Sequence, residues 1–333
     1  RAEHANVQPL SGAIMNIAAY FALLEPGDTI LGMDLSHGGH LTHGHPVTHM
    51  YQVFNFVRYK TDLSRNGAID YEQLREMALE HRPKLILAGF SAYTRTLDWQ
   101  RFKAIADEVG AYTLADVSHI SGLIAADELE NPLDCGFDVM TTTTHKSLRG
   151  PRGGLILCKQ EFAKAMDKSI FPGLQGGPLE QVIAAKAVAF KEALQPEFKT
   201  YQQQVLANAQ AMARALEDNQ IPLVFGGTEN HMLLIDLRPF GIRGKDIEKC
   251  LDEAGLCANK NAIPEDDASP LNPNGLRLGT PVITTRGLKS TDAYEVGELI
   301  AKIIHAPDDG KVHKEVSDAV SRLCERFPLY RSG

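Results

Sequence analysis

Up to about residue 196, short apolar runs alternate with stretches of helical periodicity. Thr29–Leu35 (TILGMDL), Val53–Val57 (VFNFV), Lys84–Phe90 (KLILAGF), Ala111–Asp116 (AYTLAD), Phe137–Thr144 (FDVMTTTT) and Gly154–Cys158 (GLILC) are five to eight residues long and rich in Val, Ile, Leu and Thr, as buried strands are. Asp70–Arg82 and Asp98–Gly110 instead repeat apolar positions every three or four residues, which predicts helices. Strands separated by helices imply an α/β fold, a mainly parallel central sheet with helices on its faces. From Pro196 the character changes. Phe198, Tyr201, Val205, Met212 and Leu216 share one face of a long predicted helix, followed by the strand Met232–Leu237 and a polar loop from Pro264 to Pro273. The expected organisation is a large domain over 1–196 and a smaller α+β C-terminal domain over 197–333.

Composition narrows the function. With 333 residues, 44% hydrophobic and 23% charged, the chain can bury a sizeable core. A net charge of -8 and the lack of any dense Lys/Arg run argue against nucleic acid or an anionic membrane as the main partner, leaving small-molecule chemistry. Five cysteines without a C-x-x-C pair suggest neither a disulfide framework nor a zinc knuckle and fit a reducing cytoplasm. No run approaches the roughly 18 apolar residues of a membrane-spanning helix. The sequence starts at Arg1 without an initiating methionine, so a fragment or processed form is expected.

In open α/β sheets, ligands sit at the carboxyl ends of the strands. Four such ends carry reactive residues: HGGHLTHGHP after Leu35, FSAYTRTLDW after Gly89, DVSHISG after Ala115 and HKSLRGPRGG after Thr144. A lysine at a strand end is usually a solvated cation, but Lys146 is flanked by His145 and Arg152, and nearby cations and burial make a lysine an imine-forming nucleophile. Pyridoxal phosphate also needs an acid for its ring nitrogen and donors for its phosphate. Asp116 offers the acid, and Ser11 and Gly12, ahead of the helical pattern AIMNIAAYFALL, offer a helix N-terminus for the phosphate. The four histidines His37, His40, His43 and His45 also fit a transition-metal site, but no cysteine or H-E-x-x-H completes it, and no metal is expected. GPRGG lacks the G-K-[ST] ending of a P-loop.

NVQPLSGA, HGGHLTHG, TTTTHKSLRGPRGG, FPGLQGGP, EFKTYQQQV, GGTENHMLLIDL, NKNAIP and GLRLGTP, in that order, resemble serine hydroxymethyltransferase. The resemblance implies an aspartate-aminotransferase-type (fold type I) pyridoxal-phosphate enzyme. It would interconvert serine and glycine and pass the hydroxymethyl carbon to tetrahydrofolate, as a cytoplasmic homodimer or dimer of dimers. By resemblance Lys146 carries the cofactor as a Schiff base, Asp116 pairs with its ring nitrogen, and His40 stacks on the ring. Ser91 and His119 lie against the ring oxygen, and His145 joins the catalytic group. Ser11, Gly12 and Ala13 hold the phosphate, with Gly176 and Gly177 reaching the phosphate of a neighbouring subunit. Arg277 clamps the substrate carboxylate and Arg152 assists in substrate binding, while Leu35, Gly39, Leu41 and Asn261 match the folate pocket. Ala13 stands where a hydroxyl residue is common in such enzymes. A segment upstream of ANVQP supplies acid–base groups in that family, so this chain alone is expected to have little folate-dependent activity and a weak dimer. The alternatives are an aldolase for other 3-hydroxy amino acids that needs no folate, and a non-catalytic homologue.

Overall fold

A computed structural model describes residues 2–329. The chain divides into two compact units. The first comprises the chain up to Thr61, Ile69–Ser91 and Leu97–Lys199; the second comprises Asp62–Ala68, Ala92–Thr96 and the chain from Thr200 onward. The second unit is thus assembled from three separate pieces of sequence.

In chain order the strands are β1 (His4–Asn6), β2 (Thr29–Met33), β3 (Asn55–Tyr59), the two-residue β4 (Thr61–Asp62) and β5 (Ala68–Ile69), β6 (Leu85–Gly89), β7 (Tyr112–Asp116), β8 (Val139–Thr143) and β9 (Gly154–Cys158). The first unit is built on a seven-stranded sheet of order β1-β9-β8-β7-β6-β2-β3. The five strands from β3 to β8 are parallel; β9 and β1 join antiparallel at the edge. Helices α1 (Gly12–Leu23), α2 (Tyr71–His81), α3 (Trp99–Val109), α4 (Ser121–Ala125), α5 (Ala163–Lys168) and α6 (Glu180–Ala193) lie between or beyond these strands.

Alternation sends Ile30, Leu85, Leu87, Leu114, Val139 and Ile156 into one core with Met15, Ala18 and Ala19 of α1. Their neighbours Leu31, Ile86, Ala88 and Ala115 are also fully buried, so both sheet faces are covered, which explains the near-continuous apolar runs. Asp70 caps α2 by accepting from the N–H groups of Glu72 and Gln73 (3.0 and 3.1 Å), and Asp98 caps α3 through Arg101 N–H (3.0 Å).

Helix α7 (Pro196–Asp218) starts at its proline and buries Phe198, Val205, Met212 and Leu216, the face its periodicity marks. The second unit contains β10 (Met232–Asp236), α8 (Gly244–Glu253), β11 (Asn259–Asn261), β12 (Gly275–Gly279), α9 (Pro281–Arg286), α10 (Ser290–His305) and α11 (Gly310–Arg326). Its antiparallel sheet has the order β10-β12-β11, and Leu233, Ile235, Leu276 and Leu278 meet Ile247, Leu251, Ile300 and Val320 in a separate core. The two short pieces are tied into this unit: Tyr93 packs edge-on against Phe225 (5.1 Å between centroids), Thr94 Oγ1 donates to Gly227 O (2.6 Å), and Asn230 Nδ2 donates to Tyr93 O (3.1 Å). No described helix is long and apolar enough to cross a membrane.

Candidate active site

The first unit gathers its chemistry at the carboxyl ends of β7 and β8, where Asp116 is in register with Thr141. Asp116 is 5% exposed, and both its oxygens are occupied. Oδ1 accepts from Ser118 N–H (3.1 Å) and the Ser118 hydroxyl (2.6 Å); Oδ2 accepts from Asn16 Nδ2 (2.8 Å) and from His43 Nε2 (3.1 Å). Burial alone would raise its pKa; the hydrogen bond from His43 and the positive edges of the His43 and His40 rings, with the Ser118 hydroxyl, outweigh burial and hold the carboxyl well below its ordinary range. It is therefore an ionised buried carboxylate.

His43 spends both nitrogens here. The network assigns its proton to Nε2, facing Asp116, because Nδ1 accepts the His40 N–H (3.2 Å). His40 Nδ1 meets the Thr42 hydroxyl (2.8 Å) and accepts the Thr42 N–H (3.2 Å). Burial first, then His43 and Lys146, push the His40 pKa down to about 4 against the opposing pull of Asp116, so its ring is neutral at physiological pH. His40, His43 and Asp116 also bring candidate metal-ligand atoms within 4.8 Å of one another. The lone pair His43 would need is already engaged, and the donors of Asn16 and Ser118 surround the carboxylate, a setting suited to a proton-bearing partner.

Strand β8 stops at Thr143, earlier than the apolar run suggests, and Thr144 leads into an irregular loop stitched by Thr144 Oγ1 to Pro151 O (2.6 Å) and Gly150 N–H to Thr144 O (2.7 Å). Lys146 stands on this loop, half-buried, its Nζ 3.1 Å from His119 Nε2. His145 Nε2 lies 3.2 Å from Arg152 Nη1, and the Gly153 N–H points at Nδ1 (3.4 Å); a neutral imidazole accepts at one nitrogen only, so each tautomer engages one of the two donors. Burial, Arg152 and Lys146 lower the pKa of His145. Arg152 itself is exposed.

Ser11 is the N-cap of α1, accepting from Ile14 N–H at 3.4 Å, and the first intrahelical bond runs from Met15 N–H to Ser11 O (3.1 Å). Helix geometry leaves the first-turn N–H groups of Gly12 and Ala13 directed outward, as an anion site requires. This terminus abuts β8: a Cβ on Gly12 would stand 2.8 Å from Thr143 Cγ2. Ser91 is fixed by its N–H to Gly38 O (2.7 Å) and its hydroxyl to Gly39 O (3.2 Å). Leu35 lies in the 3-10 turn Leu35–His37 that Asp34 caps, Gly39 is buried, and Leu41 is 44% exposed. Gly176 and Gly177 form an exposed bend before α6.

Arg277 and Asn261 lie in the second unit. Arg277, on β12 opposite Leu234 and Asn259, reaches Asn259 Oδ1 (3.4 Å), and burial lowers its pKa. Asn261 Nδ2 donates to Ala262 O (2.6 Å).

Asn16 is the residue that sequence reading passed over. It is fully buried, donates to Asp116 and to Thr42 Oγ1 (2.9 Å), and accepts from Thr141 Oγ1 (2.8 Å), joining α1, β7, β8 and the histidine segment. The signal was an amide on the same helical face as Ala19 and Tyr20. The family model for serine hydroxymethyltransferase matches residues 1–300. That family has the fold type I architecture of pyridoxal-phosphate enzymes, and the mainly parallel seven-stranded sheet flanked by helices is of this class.

Proposed function

The chain belongs to the serine hydroxymethyltransferase family, and from that premise we propose that it interconverts serine and glycine, with pyridoxal phosphate held on Lys146 and tetrahydrofolate as one-carbon acceptor. The observation that carries this reading is the buried ionised Asp116, one strand away from the loop that bears a half-buried lysine amine. When bound, the cofactor supplies a protonated pyridine ring that withdraws electrons from the amino acid's α-carbon. Asp116 would keep the proton on that ring nitrogen, because a carboxylate held ionised favours a cation beside it. The neutral ring of His40 can lie against the cofactor ring without repelling its charge. His119 and Ser91 would hold the ring oxygen, and the α1 N-terminus with Ser11, Gly12 and Ala13 would hold the phosphate.

Arg277 presents a planar fork suited to the substrate carboxylate. His145 and Arg152 keep the lysine loop basic, and Leu35, Gly39, Leu41 and Asn261 are the folate-side residues of this reading. A cytoplasmic homodimer completes it, with Gly176 and Gly177 turned towards the partner's phosphate. In its support, Leu179, Val188 and Leu194 on and beside α6 are 48%, 59% and 83% exposed, an apolar surface that a second subunit would cover.

The test is to load the protein with pyridoxal phosphate, reduce it with borohydride and map the labelled peptide. Label on Lys146, its loss in a folded Lys146→Ala variant, and serine cleavage that depends on tetrahydrofolate are expected. Label on another lysine, or cleavage indifferent to tetrahydrofolate, overturns the assignment.

A further inference from the structure

A second lysine of the first unit is buried where no acid answers it. Lys186, on α6, is 1% exposed. Its Nζ donates to the carbonyls of Val7 (2.6 Å), Gly154 (2.7 Å) and Pro9 (3.4 Å), three neutral acceptors for the three protons of an ammonium. Among the described residues it makes no ion pair, and burial alone pushes its pKa down to about 8. A buried cation without a counter-ion is costly. Gly153 makes room for it: a Cβ there would stand 2.6 Å from Lys186 Cε and 2.8 Å from Nζ.

The carbonyls it gathers belong to the two segments that form the candidate site. Pro9 is two residues ahead of the α1 cap Ser11, and Pro9 O accepts the Gly154 N–H (2.9 Å). Gly153 O accepts the Thr144 N–H (3.0 Å), two residues before Lys146. The charges on the surrounding elements do not neutralise it. Asn6 to Leu23 contains no acid or base besides Tyr20; the lysine loop offers His145, Lys146, Arg149 and Arg152; β9 offers only Cys158, its thiol pushed up to about 11 by burial and then by Asp167 and Glu3. On α6 itself Glu180, Lys191 and Glu192 are exposed. Lys186 therefore adds an uncompensated positive charge beside the backbone that leads into α1.

We propose that Lys186 is a positioning residue for an anionic ligand group at the α1 N-terminus, fixing the Val7–Ser11 and Gly153–Gly154 backbone and supplying the buried positive charge that the ligand's phosphate balances. The inference rests on the pyridoxal-phosphate reading above. A phosphate dianion bound nearby favours the ammonium form, so by linkage the ammonium form binds the phosphate more tightly. The advantage is complete below the ligand-free pKa of about 8 and falls as pH rises through that value.

The test compares equilibrium binding of pyridoxal 5'-phosphate with that of pyridoxal, which lacks the phosphate, from about pH 7 to about pH 9.5. The ratio of the two dissociation constants cancels the titration of Lys146, and one unit of pKa coupling appears as a tenfold change. In the wild type the phosphate advantage should fall by about tenfold across this range. In Lys186→Met it should begin about tenfold lower and stay flat, with pyridoxal binding little altered. A flat ratio in the wild type, or equal loss of both ligands in the variant, overturns the proposal while leaving the cofactor assignment intact. Failure of the wild type to bind pyridoxal phosphate removes both.

Discussion

The Asn16 side chain joins three hydrogen-bonded partners at the base of the candidate site without being ionisable. Its replacement by leucine, which has the same branching and number of side-chain heavy atoms, would leave Asp116 Oδ2 with His43 alone and strip partners from the hydroxyls of Thr141 and Thr42, all buried. Each orphaned buried group costs about 1–3 kcal/mol, more beside a charge, so Asn16→Leu should lose about 2–4 kcal/mol of stability. The urea midpoint measures this, and an unchanged midpoint would mean that the amide is dispensable. At this scale the sequence is uneven in what it discloses. Lys146 and Asp116 stand out because a charge closing an apolar run is conspicuous. Asn16, and the Nε2–H of His43, gain meaning only when α1 is laid beside β7, a hundred residues away in the chain. Lys186 looks like any lysine of a helix until the carbonyls of Val7 and Gly154 surround it.

The elements were more legible. The expected helices 70–82 and 98–110 differ from α2 and α3 only by their capping residues, because aspartate caps and a closing glycine punctuate them. The strands shifted where side-chain packing competed with pattern. β3 runs over Asn55–Tyr59, two residues beyond the apolar run 53–57, because Phe54 leaves the ladder to pack against Tyr20 (6.0 Å). β2 ends at Met33 since Asp34 turns the chain by accepting the Ser36 N–H (2.9 Å). What no periodicity reports is how closely elements approach. α1 meets β8 at Gly12, where Cβ and further methyl groups would press on Thr143. Gly12→Val should therefore cost about 1–3 kcal/mol, as overpacking does, and displace the first turn that the phosphate reading relies on. Pyridoxal phosphate should bind the variant more weakly while pyridoxal binding changes less. Full stability with unaltered phosphate binding would show that the contact yields freely.

At the level of the whole molecule, the pattern predicted one large and one small domain, but it could not mark Asp62–Ala68 and Ala92–Thr96 as parts of the second unit. Neither has an apolar period long enough to declare a core, and each is recognised only by what it touches: Gly67 O accepts from Tyr93 Oη (3.0 Å), and Tyr93 meets Phe225. A fragment beginning at Thr200 lacks both pieces, so Phe225 loses its Tyr93 ring and Gly227 O its Thr94 donor. It should unfold in urea at a lower midpoint and with a shallower slope than the same fragment supplied with the two missing segments as fused peptides; equal curves would contradict this. The same threading sets an order of events on the ribosome. Asp62–Ala68 is made more than 130 residues before Thr200 (200 − 68 = 132). At about 5–20 residues per second, roughly seven to twenty-six seconds pass before even the first residue of the remaining piece appears. Phe225 comes later still, so the second unit cannot close co-translationally in step with its own earliest segments and must recover them, already synthesised, from the nascent chain.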